Sequence, residues 1–404
     1  MSERPPVIDW TTDFDMFQTE FATDPYPIFD EMRSKCPVSH TDRSGGYFVV
    51  TGYEELKEVA HDPSTFSSRQ IVISDNPTGY GPGMAGAGAP PITSDPPYHT
   101  SYRRLLLPAF SPTRIDAWEP QTRAISSALI DKFIDKGGCD ASEDYAQHVP
   151  TTVIALMLGV PPEDGLMFTN WVYELIEGGL ADPMRGQNVM VELFQYLNKV
   201  VADHRANPND DLVTYLMEAE HDGKKLTDQE LLGTIMLLLF AGIDTTWSSI
   251  GSGLWHLAQN PADLRRLVEE PELMPVAVEE LLRAYSPVTL AREVIKDGEI
   301  AGCPVKVGDR VLLPFPAGNR DPDVFPDANK VIIDRAENRH YAFGVGIHRC
   351  LGSNLARLEM RVALEEFIKR VPEFHLVEPE TVRWSVGPVR GPRRVPLVFD
   401  RVVS

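Results

Sequence analysis

The sequence predicts a mainly α-helical protein: one large helical domain spanning residues 1–404, with a small β-rich region. Three observations carry this. Helical periodicity dominates from about Pro112 to Phe367. Strand-like runs are few and short. No repeat, low-complexity linker or abrupt change of composition divides the chain.

In order, residues 36–50 read as a short hairpin, with Pro37-Val38 and Tyr47-Phe48-Val49-Val50 flanking a turn at Ser44-Gly45-Gly46. The Gly/Pro-rich stretch from Asn76 to Pro91 reads as a long loop, either a surface linker or a functional lid. Helices follow to Ala219, broken at Gly137-Gly138, Gly159-Val160-Pro161-Pro162 and Asn207-Pro208. A long apolar helix should start at Thr227, where Glu230 completes a capping box, and run to about Ala258 before Asn260-Pro261. Another lies between Met274 and Tyr285. Short strands are expected over Val294–Ile300, Val311–Leu313 and Val395–Phe399. A last helix should begin at Cys350 or just after it, bury Leu351, Leu355, Leu358, Val362 and Phe367, and end before Pro372.

The chain has 404 residues, 43% hydrophobic and 24% charged, so it can bury a core large enough to enclose a cofactor. A formal charge of −21 disfavours nucleic acid and anionic membrane surfaces as partners. Met1–Trp10 lacks the apolar core of a signal peptide, and Leu231–Ile243 is too short an apolar run to span a bilayer. Cys36, Cys139, Cys303 and Cys350 show no metal-site or disulfide spacing. A cytoplasmic, reduced, monomeric protein is expected.

Chemistry concentrates in three segments. In Phe343-Gly344-Val345-Gly346-Ile347-His348-Arg349-Cys350, with Gly352 beyond, the glycines permit a tight turn and close approach to a flat cofactor. A cysteine at the following helix N-terminus would be favoured as thiolate. A lone cysteine is more often a small buried apolar residue. Five fixed positions together match by chance in fewer than about one chain in a thousand at average residue frequencies. Glu280 and Arg283, three apart on a helix, share a face and can pair, most commonly as a surface salt bridge. In Ala241-Gly242-Ile243-Asp244-Thr245-Thr246 a carboxylate follows the apolar run Leu237–Phe240, where it is costly unless partnered. The helical Gly242 costs about 1 kcal/mol relative to alanine, and Thr245 can bond back to an earlier carbonyl. A satisfied structural kink is the alternative to a functional site.

The cysteine segment resembles the haem-binding loop of the cytochrome P450 family, soluble bacterial type. The other two motifs stand in the order expected of that family, and the resemblance runs from about Phe21 to the C-terminus. It implies haem b with Cys350 as the iron ligand and Phe343, Gly344 and Gly352 against the cofactor. It implies Glu280 and Arg283 as a structural pair joined by Arg335 or Arg339. Asp244 and Thr245 become the acid–alcohol pair that delivers protons during oxygen activation. His99 and Arg103 (four apart), Arg292 and His348 fit propionate ligands, supplying charge-assisted donors. Phe240, Ala241, Val288, Leu290 and Val389 should face the space above the iron; all are apolar, so the substrate should be hydrophobic.

The expected activity is a haem-thiolate monooxygenase placing one atom of O2 into a C–H bond. No flavin or iron–sulfur domain is fused, so electrons should come from an acidic ferredoxin and its reductase, steered by Arg349 and Arg357. Terpenoid-like substrates rank ahead of fatty acids or aromatics undergoing hydroxylation or demethylation. A haem sensor that binds ligands without turnover is the reading from another class, and Asp244-Thr245 argues against it.

Overall fold

A computed structural model describes residues 4–73, 88–179, 182–221 and 223–401. Most of the Gly/Pro-rich stretch 76–91 lies outside them. The central element is α3 (Asp228–Gln259), which follows α1 (Tyr98–Leu106) and α2 (Pro183–Ala206) in this account of the site. Its start matches the sequence reading: Thr227 Oγ1 accepts from the Glu230 N–H at 3.3 Å, and Glu230 Oε2 accepts from the Thr227 N–H at 2.8 Å. By length and composition α3 could cross a bilayer, but 67% of its most apolar window is buried inside the protein. It is a core helix.

Two further helices pack on α3: α4 (Met274–Ala284) and α5 (Ser353–Arg370). On α5 the stripe Leu355, Leu358, Val362 and Phe367 is buried as expected; Leu351, before the helix, is half-buried. Across α3 from this helix lie His148–Met157 and Gly165–Tyr173. Two large apolar clusters result, one around Ile154, Leu175 and Ile243, the other around Trp247, Leu281 and Phe367.

The β region is a five-stranded sheet of order β1-β2-β5-β4-β3, with β1 (Val38–Thr41), β2 (Tyr47–Val50), β3 (Phe66–Ser67), β4 (Thr289–Val294) and β5 (Arg310–Pro314). The β2–β5 pair is parallel and the rest are antiparallel. The expected strand over Val294–Ile300 is corrected: one strand ends at Val294, and Gly298–Ile300 begins a separate hairpin with Cys303–Val305. The polar Lys296-Asp297 step separates them, whereas β4 carries the buried Arg292 and so lacks clean alternation. The strand expected over Val395–Phe399 is Pro396–Val398, and it pairs with Gly138–Asp140 just after the helix break at Gly137.

Glu280 and Arg283 are no surface pair. Both are fully buried, and Arg283 clasps the carboxylate with Nε and Nη2 at 2.7 and 2.8 Å. Arg335, not Arg339, adds a third bond at 3.0 Å, and Ile332 N–H and Asn338 donate to the same carboxylate. Arg283 also donates to the Asn319, Ala328 and Lys330 carbonyls, binding α4 to the loop that leads into the cysteine segment. With every donor engaged, the pair can remain ionised in the interior. Replacing Arg283 with alanine would strand the Glu280 charge and should cost about 3–5 kcal/mol. Thermal unfolding should show a large loss of stability or no folded protein at all; a midpoint equal to that of the parent would contradict this role.

Candidate functional site

Cys350 lies at the floor of a cavity of about 360 Å³ bounded by α1, α3, α5, β4 and the cysteine segment. The segment is held by its backbone: Cys350 N–H donates to the Phe343 carbonyl at 2.7 Å. Gly344 and Gly346 adopt φ of +65° and +75°. A Cβ on Gly346 would stand 2.2 Å from the Ala60 carbonyl oxygen, so only glycine lets the turn approach that close. Gly352 lines the cavity with no atom within 4 Å of where a Cβ would be, leaving a flat face open. Phe343 also lines it, and the Arg357 guanidinium covers its ring at 4.3 Å.

The helix does not start at Cys350 but at Ser353, so the sulfur is beside the helix end and not in its first turn. Burial pushes the Cys350 thiol up, against the Gly352 N–H and the charges of Arg103, Arg349 and Arg357, which favour thiolate. The helix-end argument is therefore too small by itself to ionise the sulfur. A cationic metal on it supplies the missing stabilisation.

One wall gathers His99, Arg103, Arg292 and His348. The His99 and His348 rings are 4.4 Å apart, and Arg292 and Arg103 both bear electrostatically on His348. His99 is 3% exposed, and its Nε2 has no hydrogen-bond partner among the described residues. Arg292 is equally buried; burial lowers it to about 10, with only Asp95 opposing. His348 meets Ser68 Oγ at 2.8 Å and is held neutral chiefly by burial, then by Arg292. Arg103 donates to the Arg349 carbonyl. One buried cation, Arg292, the half-buried Arg103 and an orphaned imidazole nitrogen make a receptor for anionic groups. A flat cofactor carrying carboxylates and a thiolate-seeking metal fits these residues.

Opposite the cysteine, α3 presents Ala241, Gly242, Asp244 and Thr245 to the same cavity. Thr245 Oγ1 donates back to the Ala241 carbonyl at 2.9 Å. Asp244 is completely buried, and burial raises it to about 6 against the pull of Arg393. The Arg393 Nη2–Asp244 Oδ1 distance is 2.8 Å, yet neither carboxylate oxygen accepts an aligned hydrogen bond. The contact is an ion pair that occupies Oδ1 and leaves Oδ2 without a partner among the described residues. Phe240, Val288, Leu290 and Val389 line the cavity with Ala241, so all five expected pocket residues converge.

Three site residues have no signal in the local sequence. Arg393 reaches Asp244 from the C-terminal hairpin, Glu177 pairs with Arg393, and the fully buried Glu359 lines the cavity beside Thr246. Of the arginines grouped near Cys350, Arg357 is committed to Glu279 at 2.6 and 2.8 Å and Arg361 to Glu119 and Glu365. Arg349 is exposed and pairs with no acid among the described residues.

A helical fold with a cysteine at the floor of a cavity, a cation-lined wall and an acid–alcohol step on the facing helix defines a haem-thiolate oxygenase. The cytochrome P450 family model matches residues 181–381. The chain is 34% identical over 380 residues to mycinamicin IV hydroxylase/epoxidase of Micromonospora griseorubida, covering 92% of this chain and 94% of that protein. It is 32% identical over 406 residues to the cytochrome P450 monooxygenase PikC of Streptomyces venezuelae, covering 98% and 95%. Among solved structures, CYP109E1 from Bacillus megaterium in complex with testosterone superposes with a TM-score of 0.86 at 32% identity, over 95% of this chain and all of that one. The chain belongs to the cytochrome P450 family. It is a monooxygenase of the bacterial type, and its cofactor is haem b.

Proposed function

We propose that the protein hydroxylates a bulky, neutral, terpenoid-like molecule held by apolar contact alone, with residues 1–404 acting as one cytoplasmic catalytic domain. The observation that carries this is the cavity lining. Its ionisable side chains among the described residues include Arg103, Arg292 and His348 of the cation wall, and Asp244 and Glu359. None remains to anchor a carboxylate once the wall holds propionates, which places fatty acids second. Phe240, Val288, Leu290 and Val389 offer only shape. One similar protein is a mycinamicin IV hydroxylase/epoxidase and another, CYP109E1, is seen in complex with testosterone.

In this reading the Cys350 sulfur would hold the haem iron, and His99, Arg103, Arg292 and His348 would bind its propionates. Haem iron, when bound, supplies the activation of dioxygen and transfer of one oxygen atom to a C–H bond. The protein's work is to exclude water, orient the substrate and move protons. Asp244, poised near pH 6, can take a proton and give it up at neutral pH. Thr245 Oγ faces the cavity one residue on and can exchange its bond to the Ala241 carbonyl for a passing proton. Electrons come from a separate acidic ferredoxin and its reductase. Arg349, exposed and without an acid partner among the described residues, steers that encounter, while Arg357 is already neutralised by Glu279.

Titrating the ferric protein with neutral terpenoids and fatty acids tests the substrate class. Neutral terpenoids should convert the absorption spectrum from low to high spin as water leaves the iron. Conversion by fatty acids alone would overturn the ranking. Thr245→Ala should retain haem and substrate binding but divert reducing equivalents to peroxide. Unchanged coupling of electron use to product would remove Thr245 from proton delivery.

A further inference from the structure

Two buried carboxylates in this protein are paired with arginine in opposite ways. Glu280 receives two parallel bonds from Arg283, one from Arg335 and two more from the Ile332 N–H and Asn338, so its carboxylate is surrounded by aligned donors. Asp244 is equally buried, but its one cationic neighbour is divided. Arg393 directs Nη2 at Asp244 Oδ1 (2.8 Å), Nε at Glu177 Oε1 (2.6 Å) and Nη1 at Ser248 Oγ (3.2 Å). Its guanidinium also lies 4.3 Å over the Trp247 ring, and Trp247 is itself held by a 2.7 Å bond to Ser142 Oγ. The cation is thus immobilised on the back of α3, while its two acids come from different elements.

Glu177 belongs to the turn Glu174–Gly178, whose Leu175 and Ile176 line the cavity. Anything that displaces this turn moves Glu177 relative to a fixed guanidinium. We propose that Arg393 is a positioning residue that couples this cavity-lining turn to the ionisation of Asp244, by sharing one charge between Asp244 and Glu177. With Glu177 engaged, less of the guanidinium is available to Asp244, and the acid holds its proton more tightly. With Glu177 withdrawn, the charge of the fixed guanidinium acts on Asp244 alone and the proton is released more readily. Both acids act on one cation, so the sign follows from Coulomb's law.

The other groups packed on this part of α3 do not substitute for Arg393. Glu359 on α5 approaches Thr246, Ser142 and Ile154 are uncharged, and the Glu174–Arg185 pair on the roof turn is self-neutralised. The inference rests on Asp244 as the proton-delivering acid for its catalytic meaning, but not for its test.

The test is a pH titration of the Asp244 carboxyl infrared band in the purified haem-bound protein, assigned by its loss in Asp244→Asn. The parent midpoint is expected at about 6. Glu177→Gln should move it down, and Arg393→Gln should move it up by about 1–3 units. Opposite shifts are not produced by general loosening of the fold. An unchanged or raised midpoint in Glu177→Gln overturns the proposal, and that conservative variant decides the matter if Arg393→Gln does not fold. The pH at which coupling of electron use to product declines should follow the infrared midpoints in the same directions. Infrared shifts as expected with an immobile coupling profile would support the charge sharing and instead refute Asp244 as the proton donor.

Discussion

Ionisable groups removed from water must find partners, and in this protein the partners of several buried groups are not other side chains. Arg292 and His99 on one wall and the Cys350 sulfur on the floor are held in a low-dielectric interior where burial outweighs the protein charges acting on them. A thiolate is favoured once it meets a metal cation, and the wall is satisfied once it meets two carboxylates. Haem brings both complements in one rigid molecule. The sheet, α1 and the cysteine segment are arranged so that these complements are met together, because β4 carries Arg292, α1 carries His99 and Arg103, and the segment carries His348 and Cys350.

The interior also separates charges that must stay fixed from a charge that must change. Glu280, Arg283 and Arg335 form a fully bonded knot that ties α4 to the chain leading into the cysteine segment. Such a network contributes geometry at little net energetic gain. Asp244 has the opposite construction, with both oxygens lacking aligned hydrogen bonds and a proton affinity near physiological pH. The acid that moves protons and the acid that holds the scaffold differ in the number and direction of their donors, not in burial.

Legibility in the sequence followed the range of the interaction. The capping box of Thr227 and Glu230, the stripe of α5 and the cavity-facing residues around Asp244 are determined by neighbours a few positions away, and they are found where expected. The strand Thr289–Val294 escaped because its burial on both faces erases alternation and Arg292 interrupts the apolar pattern. The pairing of Gly138–Asp140 with Pro396–Val398, and the reach of Arg393 to Asp244 and Glu177, join distant segments and leave no periodic trace. The arginines near Cys350 read as a free basic patch for the same reason: Glu279, the partner of Arg357, and Glu119, a partner of Arg361, lie on other helices.

The central claim is that the sulfur of Cys350 completes the site by binding the haem iron as a thiolate. The direct measurement is the ferrous–carbon monoxide absorption spectrum of the purified protein beside that of Cys350→His, with haem content determined in both. The account predicts the thiolate signature in the parent and its replacement by an imidazole-type spectrum in the variant, with haem still retained by the cation wall. An identical spectrum in the two proteins would place the iron ligand elsewhere and contradict the account.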